Sequence, residues 1–270
     1  MIIDHLHDDI VSLTACNLVC KTWTRSARFH LFSELTLGHG GRDVKQLLRS
    51  AAVVIPFVRH LRLRHQKWEK TLPLLVGFKS IRSLAVTDSP GHPGCLGDLA
   101  MSTLFCNFSA AVDVRLENVR FLTAGCLIRF ICTFPRLERL AIHCNGTSLY
   151  EVGVWWPTPT FDLSPHLRVL ELDDICMDAV LDWFLSLPDR PALRAVGLHP
   201  DCKNNSEIVT KLLTALENSL ESFLISTLIS DGMFVIFLSL IYAACQVRIA
   251  LANRPMPQHI LTLPSNRVQP

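Results

Sequence analysis

The sequence has almost no excess of charge of either sign. Its 26 lysines and arginines nearly balance its 24 aspartates and glutamates, which leaves a formal net charge of +2. A chain so close to neutral lacks the general attraction that draws basic proteins to nucleic acid or to anionic membrane surfaces. We therefore expect no nucleic acid and no membrane among its partners.

Paired-cysteine motifs and a signal peptide are also missing. The ten cysteines are scattered, mostly inside apolar segments, and none forms a Cys-x-x-Cys pair. The first residues show no basic region, apolar run or cleavage site of the kind that directs secretion. These absences predict buried, reduced thiols and a cytoplasmic or nuclear protein.

Motifs that carry catalysis are absent as well. The sequence contains no Gly-x-Ser-x-Gly elbow, no His-Glu-x-x-His and no Cys and His at metal-site spacing. His5, His7, Asp8 and Asp9 stand close enough together to ligate a metal in principle, but solvated polar side chains are the preferred interpretation. We therefore expect that the chain is not an enzyme and has no cofactor and no metal site.

What the sequence does contain is a repeated hexad, seen most clearly at residues 137–142 (LERLAI). Its first, fourth and sixth residues are apolar, and the steps between successive fourth positions are 23, 30, 26, 30, 26 and 27 residues. A period of this length is typical of repeat architectures. The apolar triplets are Val58/Leu61/Leu63, Ile81/Leu84/Val86, Ala111/Val114/Leu116, Leu137/Leu140/Ile142, Leu167/Leu170/Leu172, Leu193/Val196/Leu198 and Leu220/Phe223/Ile225.

The end of each hexad alternates like a short strand with one buried face. Stacked in parallel, such strands share a core if crossovers of a dozen or more residues join them. Helical spacing of apolar residues predicts crossover helices at 43–54, 123–134, 176–187 and 206–217, whereas 65–80 and 87–110 predict loops and partial helix. The predicted fold is α/β, with short parallel strands and crossover helices.

The hexads and crossovers together resemble leucine-rich repeats of the long, irregular, strand-plus-helix kind over residues 55–226. The resemblance implies a solenoid. An ordinary α/β domain whose strands start alike is the alternative.

The first 37 residues lie outside the repeat, and their apolar residues predict two or three short helices around a small core. The stretch Leu18 to Trp23 (LVCKTW) resembles the core of the F-box, a helical module that docks on the Skp1 adaptor of cullin-RING ubiquitin ligases. Residues 25–37 look like the lead into leucine-rich repeats in the fungal F-box-like family, although the start of the module is incomplete. By resemblance, the core and the adaptor-facing surface share Leu6, Leu13, Leu18, Val19, Cys20 and Trp23, and we expect Val19 and Trp23 to be core.

The chain therefore divides into an F-box-like segment at 1–37, a leucine-rich-repeat solenoid at 38–226 and a tail at 227–270. The tail begins with an apolar stretch, 232–247, that is somewhat short for a spanning helix. A terminal cap or aberrant sequence is preferred there over a membrane anchor.

The binding surface of such a solenoid is the strand face opposite the core. We predict that this concave strip recognises a protein partner, with its charge changing from basic to acidic along the repeats. Solvated side chains without a ligand are the alternative. The tryptophans in 151–161 (EVGVWWPTPTF) are a second candidate contact. The partner-binding residues of the strip are Arg62, Arg64, Arg115, Glu117, His143, Glu171 and Asp173.

Two functions remain open. One is a non-catalytic substrate-recognition subunit of a Skp1-cullin-F-box ubiquitin ligase, with an unknown protein substrate. The other is a repeat-based scaffold whose F-box remnant does not dock.

Overall fold

A computed structural model describes the backbone of most of the chain between residues 2 and 251. The described residues are 2–6, 9–38, 54–64, 72–87, 105–119, 121, 123–143, 162–199, 206–216, 219–225 and 248–251.

Nine short strands form one sheet, in which every pairing is parallel and the spatial order equals the order in the chain. The predicted parallel α/β architecture is therefore confirmed. The strands are β1 (Glu34–Leu37), β2 (His60–Arg64), β3 (Ser83–Thr87), β4 (Asp113–Glu117), β5 (Arg139–His143), β6 (Val169–Asp173), β7 (Ala195–His199), β8 (Ser222–Ile225) and β9 (Arg248–Leu251).

The hexads set the register of this sheet. Leu61 pairs with Leu84, Leu84 with Val114, and the fourth residue of each later hexad continues the row as far as Phe223. All first, fourth and sixth residues whose side chains are described are buried, from Val58 to Phe223. The apolar positions of the repeat thus form the core side of the sheet, as predicted.

The crossovers also follow the sequence pattern. Helices occupy three of the predicted segments: α3 (Ala124–Ile131), α4 (Asp174–Ser186) and α5 (Ser206–Leu216). Thr123 caps α3 by accepting a hydrogen bond from the backbone N–H of Cys126 at 3.2 Å. The described parts of the irregular intervals include two short 3-10 helices, Leu72–Leu75 and Cys106–Phe108. Of the predicted helix at 43–54, residues 43–53 lie outside the described part.

The sheet is longer than the repeat predicted. β1 lies inside the segment assigned to the helical module, and β9 lies beyond residue 226, where the repeat was expected to end. Leu35 stands 26 residues before Leu61, so its hexad follows the period, but its first residue, Phe32, belongs to a helix. Ile249 stands 26 residues after Phe223, but that hexad begins with the polar Gln246. The sequence pattern did not predict either strand, because the first hexad position lies in a helix at β1 and is polar at β9.

The described residues before β1 are mostly helical. A 3-10 helix (Ile2–Leu6), α1 (Ile10–Cys16) and α2 (Lys21–Phe32) surround a small cluster of buried residues, Ile3, Leu13, Cys16 and Ala27. We call residues 2–33 the helical segment. Asp9 caps α1 by accepting a hydrogen bond from the backbone N–H of Ser12 at 3.0 Å.

The sheet and its helices share a separate, continuous core that runs from Leu37 to Phe223. Phe130 is central to it, with ring centroids 4.9 Å from Phe105 and 5.1 Å from Phe134. No helix among the described residues is long and apolar enough to cross a membrane.

The cysteines only partly follow the expected burial. Cys16 is buried and Cys126 and Cys132 are half-buried, whereas Cys20 and Cys106 are exposed. The expectation of burial was therefore wrong for Cys20 and Cys106, which lie at a turn and in a 3-10 helix.

Candidate protein-binding surfaces

The sheet has one face on the core and one face open. The third and fifth residues of each hexad, and the residue that follows the hexad, alternate with the buried residues and project from the open side. We call the residue that follows the hexad its seventh position. We call the open side of the sheet the outer face, and it corresponds to the strip that the sequence predicts as the partner-binding surface. It holds all seven predicted partner-binding residues: Arg62, Arg64, Arg115, Glu117, His143, Glu171 and Asp173.

Arginines populate the part of the outer face on β2 and β4. The guanidinium of Arg62 lies 3.7 Å from the carboxylate of Glu34, and the Nε of Arg115 lies 3.4 Å from Asp113 Oδ1. Both acidic partners occupy third positions, which the sequence interpretation left out. The basic end is therefore less basic than the arginines alone suggested.

His143 joins the acidic residues of β6. Its Nδ1 lies 3.3 Å from Asp173 Oδ1 and its Nε2 lies 3.8 Å from Glu171 Oε2. The hydrogen bond to Asp173 raises the pKa of His143 above its usual 6.5, and the nearby carboxylates add to this, while partial burial opposes it. The structure thus brings His143, Glu171 and Asp173 into one cluster.

Glu117 lies on β4 beside this cluster. Its backbone pairs in register with His143, and its carboxylate also contributes to the raised pKa of that histidine. The hydroxyl of Thr87 donates a hydrogen bond to Glu117 Oε2 at 3.0 Å. Glu117 is therefore positioned by both neighbouring strands.

Small residues alternate with charged ones along the fifth positions. Ala85, Ala141 and Gly197 separate Arg62, Arg115 and Glu171, and Ala141 is only 1% exposed although it faces outward. A Cβ added to Gly197 would lie 3.1 Å from the Cγ of Glu171. The small residues thus leave room for the long charged side chains on the adjacent strands.

The helical segment has a different kind of surface, which is apolar. Leu18 is 83% exposed, Val19 is 61% exposed and Cys20 is also exposed. Ile10 and Val11 add two further exposed apolar side chains on α1. We call Ile10, Val11, Leu18 and Val19 the apolar surface. The expectation that Val19 is core was wrong.

The chain geometry explains this exposure. Residues 17–19 form a turn between α1 and α2, and that turn is anchored through Asn17, whose carbonyl accepts a hydrogen bond from the hydroxyl of Thr24 at 2.7 Å. The Nε of Arg28 also donates to Asn17 Oδ1 at 3.2 Å. The turn is thus held by polar contacts, which leaves Leu18 and Val19 free of the core.

The other residues of the resemblance lie inward. Leu13 is buried, while Leu6 and Trp23 are half-buried against the small core. The expectation that Trp23 packs in the core is confirmed. The six residues therefore divide into three that hold the helices together and three that face solvent.

Several candidates of the sequence lie outside the described residues. These are the tryptophans at 155 and 156, the apolar stretch 232–247, and His7 and Asp8 of the possible metal cluster. Within the described residues, no group of three or more His, Cys, Asp or Glu could hold a metal ion.

Comparisons with known proteins give no family for this chain. No model of a known protein family matches it, and a search among curated proteins finds no match.

Proposed function

We propose that the chain is a non-catalytic substrate-recognition subunit of a Skp1-cullin-F-box ubiquitin ligase. In this proposal the helical segment acts as an F-box, and the sheet with its crossovers is a leucine-rich-repeat solenoid. A Skp1-like adaptor binds the apolar surface, and a protein substrate binds the outer face. Such a protein works in the cytoplasm or nucleus.

The observation that carries the proposal is the exposure of Leu18 and Val19. Soluble proteins expose single apolar residues freely, but four exposed ones between positions 10 and 19 of a small module favour a contact surface. The two residues belong to the stretch that resembles the F-box core, and polar contacts hold their turn outward. An adaptor that covered them would remove their side chains from water.

The sheet supports the second half of the proposal. Its strands follow one another in chain order, and its outer face carries fixed charges of both signs. Complementary charges mainly set partner choice and encounter rate, while buried anchors supply most of the affinity. This suits a surface that selects one protein among many.

A repeat-based scaffold is the alternative. It shares the outer face but leaves the apolar surface without an adaptor. The two candidates therefore differ in one measurable property, which is adaptor binding by the helical segment.

The test is equilibrium binding of a purified Skp1-like adaptor to the full chain. We expect the double variant Leu18→Asp/Val19→Asp to weaken binding by a factor of about 10 or more, because two charges would be buried in an apolar contact. The substitutions test the adaptor contact more specifically than deletion of residues 1–37, because that deletion also removes β1 from the sheet.

The matched control is Val76→Asp, which places a charge at an exposed apolar residue outside the helical segment. Its binding should equal that of the unchanged chain. Far-ultraviolet circular dichroism of each variant checks that the fold is kept. Failure of the unchanged chain to bind any adaptor would favour the scaffold.

A further inference from the structure

A ladder of backbone hydrogen bonds fixes another row of side chains, at the amino end of the strands. The N–H of Arg82 donates to the carbonyl of Arg59 at 2.7 Å, and the N–H of Arg194 donates to that of Arg168 at 2.8 Å. Each donor and acceptor is the second residue of its hexad. We call the row the amino rim, and its members are Arg59, Arg82, Val112, Glu138, Arg168, Arg194 and Glu221.

Arginine dominates the amino rim. Arg59 is occupied within the fold, because its guanidinium donates to the carbonyls of Pro56 at 3.0 Å and Ser80 at 3.4 Å. Arg82, Arg168 and Arg194 are exposed instead. Arg82 and Arg168 are therefore available to a ligand, and Arg194 is available if its exposed ion pair with Glu221 opens.

Few acidic side chains neutralise them. Arg194 lies 3.5 Å from Glu221, but both side chains are more than half exposed, and such pairs contribute little. Within the described residues, Arg82 and Arg168 form no ion pair. Within the described residues, the four arginines of the rim outnumber its two glutamates, which leaves a net positive charge.

Two of the arginines are immediate neighbours. The backbones of Arg168 and Arg194 are hydrogen-bonded across adjacent strands, which lie about 5 Å apart. Arg139, on the preceding strand, pairs in register with Val169 and is also exposed. A carboxylate between two such arginines would accept charge-assisted hydrogen bonds from both, and the planar fork of arginine suits carboxylates in particular.

We propose that the amino rim binds an acidic segment of a partner protein, with a carboxylate held between Arg168 and Arg194 and a second one at Arg82. Arg82 is three strands away from Arg168, or about 14 Å, which an extended peptide spans in about four residues. This surface is distinct from the outer face, and its binding does not depend on the adaptor.

The residues between the two ends of the rim favour a protein over a nucleic acid. Val112 and the exposed Glu138 lie between Arg82 and Arg168 in the ladder. A polyanion with a charge on every unit would place a phosphate against Glu138. A peptide can carry acids at the two ends and neutral residues between them.

The experiment uses the full chain and a labelled peptide with two glutamates four residues apart and otherwise Gly and Ser. Binding is followed by fluorescence anisotropy at low salt, where exposed charges are least screened. We expect Arg168→Gln/Arg194→Gln to weaken binding by a factor of about 10 or more, as lost charge-assisted hydrogen bonds would. Arg82→Gln should weaken it less.

The matched control is Arg62→Gln/Arg115→Gln on the outer face, which removes the same net charge. It should change the affinity by less than a factor of about 2, because these arginines lie on another surface. Arg168→Lys/Arg194→Lys should recover part of the affinity, since charge is kept while the planar fork is lost.

Three results would overturn the proposal. One is the absence of saturable binding by the unchanged chain. Another is an equal loss in the rim and outer-face double variants, which would show an effect of net charge alone. The last is tighter binding of a single-stranded oligonucleotide with the same number of charges, which would assign the rim to nucleic acid. Matching thermal unfolding of all variants ensures that losses come from binding.

Discussion

The helical segment and the sheet differ in how many of their apolar side chains they bury. From Val58 to Phe223 the sheet buries every described apolar position of its hexads in one continuous core, whereas the helical segment has a cluster of only four buried residues. Among the described residues, the exposed large hydrophobic side chains all belong to the helical segment except Val76. The sheet therefore presents charged side chains, and the helical segment presents apolar area.

Removal of a large core ring from the sheet should have the largest effect. We expect Phe130→Ala to lower the free energy of unfolding by about 3–5 kcal/mol, because the ring is buried and its cavity cannot close fully. Chemical denaturation followed by circular dichroism measures this change. A loss below about 1 kcal/mol would mean that the aromatic cluster is not packed as described.

Leu18→Ala is the counterpart on the apolar surface. Since Leu18 is almost fully exposed, its truncation should change the free energy of unfolding by less than about 0.5 kcal/mol. Chemical denaturation followed by circular dichroism measures this change as well. A large loss would place Leu18 in a core and remove the basis of the apolar surface.

Leu13→Ala should act locally. Leu13 is buried in the small core, so its truncation should cost about 2 kcal/mol or more, but only within the helical segment. Hydrogen exchange should then show faster exchange across 10–32 with unchanged protection of β2 to β8. Faster exchange in both regions would show that they unfold together.

The pH-dependent stabilisation by the His143 cluster should be smaller than the losses of stability expected for Phe130→Ala and Leu13→Ala. The folded chain raises the pKa of His143 above that of the unfolded chain, about 6.5, so the stabilisation is present below that pH. It is lost as pH rises through the folded pKa. His143→Gln should therefore lower stability more at about pH 5.5 than at about pH 8.5, by less than about 1 kcal/mol because the cluster is partly exposed.

The control for this effect is His166→Gln, since His166 is exposed and forms no ion pair within the described residues. Its denaturation curves should shift equally at both pH values. An H143Q effect of equal size at both pH values would rule out the charged hydrogen bond to Asp173.

Substitution of an outer-face arginine should change stability as little as Leu18→Ala does. Arg62→Gln breaks an exposed ion pair with Glu34, so we expect a change in stability below about 0.5 kcal/mol. Thermal unfolding at low and high salt measures it. A larger loss would mean that the outer face stabilises the fold rather than serving recognition.

The repeat made most of the sheet predictable. Alternating apolar residues such as Leu140 and Ile142 have only one way to be buried, which fixes the strand, its face and its register. The same logic failed at β1, because Phe32 serves both the hexad and a helix end. It failed at β9 because Gln246 breaks the apolar pattern.

The candidate sites were predictable only in part. The fifth and seventh positions were identified correctly as outward, but Glu34 and Asp113 at third positions, which moderate the charge of the arginines, were missed. Val19 was expected in the core because a small module has few large side chains. Its exposure depends on the bonds of Asn17 to Thr24 and Arg28, and no periodicity of apolar residues reveals such contacts.

The central claim is that the helical segment, and not the sheet, meets the adaptor. Hydrogen exchange of the full chain, measured with and without a saturating purified Skp1-like adaptor, tests it most directly. If the adaptor binds the helical segment, exchange should slow across residues 10–32 and stay unchanged in β2 to β8. Protection confined to the strands, or none anywhere, would contradict it.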